Sequence, residues 1–254
     1  LLWPSGAGRI LVLAAMLAGH RADAAVVCEH TADSLIVAHM GFIFFQVDVS
    51  GVALHSGRKW DGVNAIDKAV LLMQALKDLE NKWLLKYKHP LLPPPNLNVG
   101  VISGGSAGST VPDLCTFKLC LHYQPNVQTY DSVVKEVTEA LLLRSRGDEW
   151  LKDNPPRISV YQAGGAFEMD PEHEFVKTAG RSFEEAFGFA PQVVGSPAGC
   201  DARLLRNIGQ MPVFISGPGL GQGHRPNEYV EIDEYLDYIL FYALLILEWN
   251  SKSK

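Results

Sequence analysis

Cysteine is scarce in this 254-residue chain, which has four: Cys28, Cys115, Cys120 and Cys200. At this length so few exclude a disulfide scaffold. Cys115 and Cys120, an odd number of residues apart, would face opposite sides of a shared strand and could not pair within it. The expectation is therefore a reducing, cytoplasmic setting. Long apolar runs are also lacking, since no stretch reaches the ~20 residues that span a bilayer, and no membrane partner is expected. Positive charge is in deficit. Lys and Arg number 22 against 28 Asp and Glu, for a net charge of -6. Without a basic field to collect phosphates, nucleic acid is excluded as the main partner. No internal repeat or low-complexity tract is present.

One segment imitates a secretory leader. Ile10 to Ala18 is apolar, Arg9 precedes it, and Ala22-Asp23-Ala24 resembles a cleavage site. The imitation lacks an initiating Met, carries a single positive charge and has Gly6 and Gly8 where a helix would be entered. A buried helix is expected here instead, followed by Ala24 to Val27 as a short buried strand. The hydrophobic fraction of 47% and charged fraction of 20% are those of a globular protein able to build a core.

The periodicity of the chain changes along its length. A short strand is expected at Ser34 to Ala38. Beyond Gly41, Ile43, Phe45, Val47 and Val49 alternate with Gln46, Asp48 and Ser50, the period of a strand with one buried face. A helix is expected from Asp61 to about Trp83, with Val63, Ile66, Val70 and Met73 at helical spacing. Pro90 and Pro93-Pro94-Pro95 require a loop. Strands follow at Asn98 to Ser103 and Thr116 to Tyr123, then a helix capped by Asp131 and a strand at Arg157 to Tyr161. That order, strand-helix-strand-strand-helix-strand over 41–161, is the order of a ferredoxin-like α+β unit. The rear segment reads as a helix at Glu172 to Phe187, strands at Gln192 to Gly195 and Pro212 to Ser216, and a final helix at Asp233 to Trp249. Such alternation belongs to an open α/β sheet. The expected architecture is an α/β domain at 1–40 and 162–254, interrupted by an inserted ferredoxin-like domain at 41–161.

Five short stretches carry candidate chemistry. Val27-Cys28-Glu29-His30-Thr31 puts a carboxylate at the carboxyl end of a strand, where open α/β sheets place their ligands. On its own Glu29 reads as a surface turn residue, as most loop carboxylates are. His39-Met40-Gly41 marks the exit to the inserted domain. Next come Ala53-Leu54-His55-Ser56-Gly57-Arg58 and Gly62-Val63-Asn64-Ala65-Ile66. A fourth stretch joins Gly104-Gly105 to Val111-Pro112-Asp113-Leu114-Cys115, with His122 and Pro125 beyond. The fifth is Gly217-Pro218-Gly219 with Gly223-His224-Arg225-Pro226-Asn227-Glu228-Tyr229, preceded by Gly199-Cys200-Asp201-Ala202. Taken singly, His55 and His224 read as loop residues, His39 as structural or orienting, His122 as packing at a domain edge, Asn64 as a helix cap and Asp201 as a turn residue.

In this order and spacing, the five stretches resemble the carboxyl-terminal portion of the metallo-amidohydrolase family of acetylornithine deacetylase, succinyl-diaminopimelate desuccinylase, aminoacylase and glutamate carboxypeptidase. The resemblance implies a partial zinc-exopeptidase-like open sheet with an inserted lid and dimerisation domain, and a homodimer formed through 41–161. It implies metal-dependent hydrolysis of N-acyl amino acids or small peptide amides by two Zn2+ (or Co2+) ions. Glu29 and His224 match metal ligands, with Glu228 and Asp201 orienting groups around them. His55 matches a histidine that stabilises the oxyanion in a partner's site. Asn64, His122 and Gly217 match substrate-pocket positions. At His122 and Cys120 the chain departs from the family's Arg and Asp, and an imidazole lacks the bidentate fork of a guanidinium.

Most of the metal site that the resemblance implies has no counterpart. No His-x-Asp segment occurs, and Leu1-Leu2-Trp3-Pro4 stands where a Glu-Glu pair would precede the Gly-rich helix start. With two of five ligands and no Glu base, this chain is expected to be inactive alone, either as a fragment or as a degenerate relative. The alternative function is a non-catalytic dimerisation or binding module.

Overall fold

The computed structural model describes residues 7–219 and 226–252. The chain begins with helix α1 (Ala7–Leu17), strands β1 (Ala25–Val27), β2 (Ser34–His39), β3 (Gly41–Ser50) and β4 (Leu54–His55), and a 3-10 turn at Ser56–Asp61. Then come α2 (Ala65–Lys86), β5 (Asn96–Gly104), β6 (Thr110–Val111), β7 (Leu114–Tyr123), α3 (Tyr130–Arg146) and β8 (Arg157–Gly164). The rear part contributes β9 (Phe167–Glu168), α4 (Glu174–Phe187), β10 (Gln192–Ser196), α5 (Ala202–Asn207), β11 (Val213–Ile215) and α6 (Ile232–Lys252). These elements form two compact units. One holds the residues up to His39 and from Ala166 onward, and the other is Met40–Gly165. No helix among the described residues is long and apolar enough to cross a membrane.

In the Met40–Gly165 unit, four strands pair in the order β5-β7-β3-β8, every neighbour antiparallel. With α2 and α3 in the connections, this is the ferredoxin-like arrangement. β7 buries Cys115, Phe117, Leu119, Leu121 and Tyr123 in strict alternation, as a sheet with one covered face requires.

The helix signals were displaced. α2 starts at Ala65, capped by Asn64, whose Oδ1 accepts from the N–H of Ile66 and Asp67. It buries Ala69, Leu72, Leu76, Leu79 and Trp83, while Val70, expected inside, is exposed. Two stripes of similar spacing compete on this helix, and the buried one is the stripe that continues through Leu72, Leu76 and Leu79 to Trp83. Asp131 does not cap α3. Thr129 does so in a capping box with Ser132, leaving Asp131 in the first turn, where its charge suits the helix dipole.

A carboxylate ties the two helices together. Glu136 of α3 accepts from Trp83 Nε1 at 2.5 Å and from the Tyr87 hydroxyl at 2.7 Å. Burial by itself would raise the Glu136 pKa. The bonds from Tyr87 and Trp83, with the Lys86 charge, outweigh it and hold the carboxyl below its ordinary 4.5. A pKa depressed by folding adds stability in full above the ordinary value, and that stability is lost as pH falls through the folded value. Glu136→Gln should therefore flatten the acid limb of the stability profile. Urea midpoints measured between about pH 6 and pH 3 would show it, and an unchanged acid slope would refute it.

In the other unit a mixed sheet runs β1-β11-β2-β10, with β9 against β2. β1 and β11 are parallel, β11 and β2 antiparallel, β2 and β10 parallel. α4 and α6 carry an aromatic cluster in which Phe183 stacks on Phe187 at 4.1 Å and meets Phe241 edge-on. The α1 helix forms where the leader-like segment lies, but it is not buried as expected. Met16 is covered, whereas Leu11 and Leu17 face outward.

Candidate functional site

Each unit assembles its own group of candidate residues. In the sheet of the first, Val27 of β1 lies beside Ile215 of β11 in parallel register. Cys28-Glu29 and Ser216-Gly217 therefore leave adjacent strands in the same direction. The two turns are fastened to each other. Gly217 O accepts from the Thr31 N–H at 3.1 Å, and Gly217 N–H donates to Thr31 Oγ1 at 3.3 Å. A methyl group built on Gly217 would stand 2.7 Å from Glu29 O, so only glycine permits this approach. Both polar backbone groups of Gly217 are thus engaged, and what it offers a pocket is space. Ser216 O accepts from the Tyr242 hydroxyl at 2.7 Å, and Gly219 N–H donates to Glu234 at 2.7 Å, which anchors the second turn on α6.

Glu29 is exposed at the end of β1. The Cys200 thiol is pushed up to about 12, mainly by burial, with the negative charges of Glu29 and Asp201 adding to the shift. The Gly199-Cys200-Asp201 turn therefore lies close enough to Glu29 to feel its charge. Asp201 makes no capping bond to α5 and stands 3.8 Å from Arg203, whose guanidinium donates to Cys200 O. Glu228 is exposed in the turn after Pro226. His224 lies outside the described residues. Among the described residues no three His, Cys, Asp or Glu side chains are grouped to hold a metal ion. Glu29 and its described neighbours thus do not make a complete metal site.

The second group lies in the Met40–Gly165 unit. β4 pairs with β6, setting His55 opposite Thr110. The His55 side chain caps the 3-10 turn, its Nδ1 accepting from the Gly57 N–H at 3.1 Å. Asn64 spends its Oδ1 on capping α2, so its Nδ2 is the group left to donate elsewhere. The Gly51 backbone and the Pro112 carbonyl, which accepts from Ala65 N–H at 2.9 Å, lock the 53–66 and 104–115 stretches together. His122 is elsewhere. It sits eight residues along β7 from Leu114, roughly 27 Å at strand rise. Its Nδ1 lies 3.1 Å from Asn96 Oδ1, and burial lowers its pKa. The charged imidazolium that could grip a carboxylate is therefore disfavoured at that position.

Sequence reasoning missed the β4–β6 pairing and α5. Two-residue strands have no readable period, and α5 has only six residues. The Gly57 beside His55 and the helix formers after Ala202 were the available signals.

Comparison with known proteins adds to this geometry. Residues 37–148 match the M20 family model described as a peptidase dimerisation domain. The N-formyl-4-amino-5-aminomethyl-2-methylpyrimidine deformylase of Bacillus subtilis is 28% identical over 261 residues, covering 93% of this chain and 60% of that protein. The acetylornithine deacetylase of Pectobacterium carotovorum is 26% identical, covering 83% of this chain and 53% of its own length. The chain thus spans little more than half the length of these relatives. Among solved structures, an aminopeptidase from Bacillus cereus superposes with a TM-score of 0.72 at 19% identity, over 94% of this chain and 61% of that one. An M20 family metallo-carboxypeptidase from Sulfolobus solfataricus gives 0.70 at 17%, over 94% and 66%. At those identities the likeness is one of fold.

Proposed function

This chain carries an M20 peptidase dimerisation domain and has deformylases and acetylornithine deacetylases among its relatives, and on that premise we propose that it works within a metal-dependent hydrolase of N-acyl amino acids or small peptide amides. The observation that carries the reading is the fastening of the Glu29 turn to the Gly217 turn at the ends of parallel β1 and β11. A carboxylate held there and an imidazole from His224, the ligand pair proposed here, are donors that suit Zn2+ or Co2+. When bound, such ions supply a Lewis acid and an activated water. Asp201 and Glu228 would orient groups around them.

His55 can serve the oxyanion. Because its Nδ1 accepts a hydrogen bond, the neutral ring carries its proton on Nε2, a donor for developing negative charge. The distance along β7 between the His55 hairpin and His122 favours their serving two different sites, as in a homodimer through the inserted domain of 41–161. Asn64, His122 and Gly217 are the residues proposed to bind substrate, the first two from the Met40–Gly165 unit and the third from the other. A cytoplasmic setting fits the four free thiols.

A second reading, a non-catalytic dimerisation module, is favoured by the match of residues 37–148 to a peptidase dimerisation domain. A titration of the 254-residue chain with Zn2+ and Co2+, combined with an assay on N-acetylornithine and N-formyl amides, separates the two. Weak metal binding that Glu29→Gln and His224→Ala each reduce by about 10-fold or more, with no turnover by the chain alone, is expected. Binding unchanged by either substitution would remove both residues from the ligand set. Metal-dependent turnover by the chain alone would overturn its expected inactivity.

A further inference from the structure

We infer that Trp60 is the anchor by which the His55 turn seats on a second copy of this chain, an inference that rests on the homodimer proposed above. Trp60 lies in the 3-10 turn Ser56–Asp61 and is 79% exposed, more than any other aromatic side chain among the described residues. Leaving an indole in water forgoes a large burial energy, and such side chains are the usual centres of protein interfaces.

The neighbouring cations do not explain it. Arg58 Nη2 is 2.7 Å from Asp61, and Lys59 Nζ is 3.3 Å from Asp67. Both basic groups are folded back onto carboxylates of their own segment, so the turn offers no free charge to phosphate, nucleic acid or an anionic lipid surface. What it projects is an apolar plate. The turn is also braced before any partner arrives: His55 caps it, Ser56 N–H donates to Ser109 O at 2.8 Å, and β4 is paired to β6. A preorganised loop loses little entropy on docking. The whole turn falls inside residues 37–148, the segment matched as a peptidase dimerisation domain, which makes a second copy the occupant. Burying Trp60 would fix where the adjacent His55 ring points.

Sedimentation equilibrium of the intact chain tests this. Trp60→Ala should raise the dimer dissociation constant by about 10-fold or more, and Trp60→Phe should stay within about threefold of wild type. Acrylamide quenching, taken as the difference between wild type and Trp60→Phe, should show the indole protected at high concentration and accessible on dilution. A dimer whose affinity is unchanged by Trp60→Ala, or whose Trp60 quenching is the same at high and low concentration, overturns the anchor and leaves the homodimer standing. A wild-type chain that stays monomeric at every concentration overturns both.

Discussion

Replacing Trp83 with alanine should destabilise the Met40–Gly165 unit by about 3–5 kcal/mol. Trp83 has no exposed surface and ends the buried stripe of α2 that begins at Ala65. Two losses combine. The indole volume is removed from a close-packed interior that can only partly collapse. In addition, Glu136 loses the donor 2.5 Å from its Oε2 while Tyr87 keeps hold of Oε1. Trp83→Phe separates the terms, because it retains most of the volume and removes only the N–H. It should cost about 1.5–3 kcal/mol, the range for losing a hydrogen bond to a charged group. Urea unfolding followed by circular dichroism measures both. A Trp83→Ala midpoint equal to that of Trp83→Phe would show that packing contributes little.

Gly217→Ala is expected to cost the other unit about 1–3 kcal/mol, and to do so through the candidate site. The added carbon would meet Glu29 O at 2.7 Å and Cys28 C and Glu29 N at 3.1 Å. All three are backbone atoms, and Thr31 binds the same segment on both of its polar groups, so no flexible side chain can give way. The Glu29 turn must then move, and any metal affinity that depends on Glu29 should fall with it. Gly180 provides a control of opposite sign. It lies within α4, and nothing stands within 4 Å of the position its Cβ would take. Gly180→Ala should therefore stabilise by up to about 1 kcal/mol, from helix propensity alone. Thermal melts of the two variants should shift in opposite directions. Equal shifts would mean that the close approach at Gly217 is not rigid.

Much of this molecule is visible in local pattern. The alternation from Ile43 to Val49 gives β3, and the strand-helix order from 41 to 161 gives the ferredoxin-like unit, because a pleated strand and a helix each impose a short period on their buried side chains. Expectations failed where two local signals competed. On α2 both stripes have helical spacing, and only packing against the sheet chose the one ending in Trp83. At α3, Thr129 and Asp131 are both capping types, and the path of the chain decided for Thr129.

The candidate site divides in the same way. Glu29, His55, Asn64, His122, Gly217 and His224 are all nameable from motif order, which is a one-dimensional property. Their surroundings are not. That Gly217 fastens to Thr31 depends on β1 pairing with β11 across most of the chain. That burial disfavours the charged form of His122, and that it stands far along β7 from the His55 hairpin, depends on how the sheet stacks those strands. The sequence by itself determined the kinds of element and the identity of the chemical groups, since these follow from nearest-neighbour spacing. The tertiary structure alone decided which backbone atoms leave no room for a methyl group at Gly217 and that Trp60 stands in water. The first is a property of long-range packing, since it brings together Thr31 and Gly217, 186 positions apart.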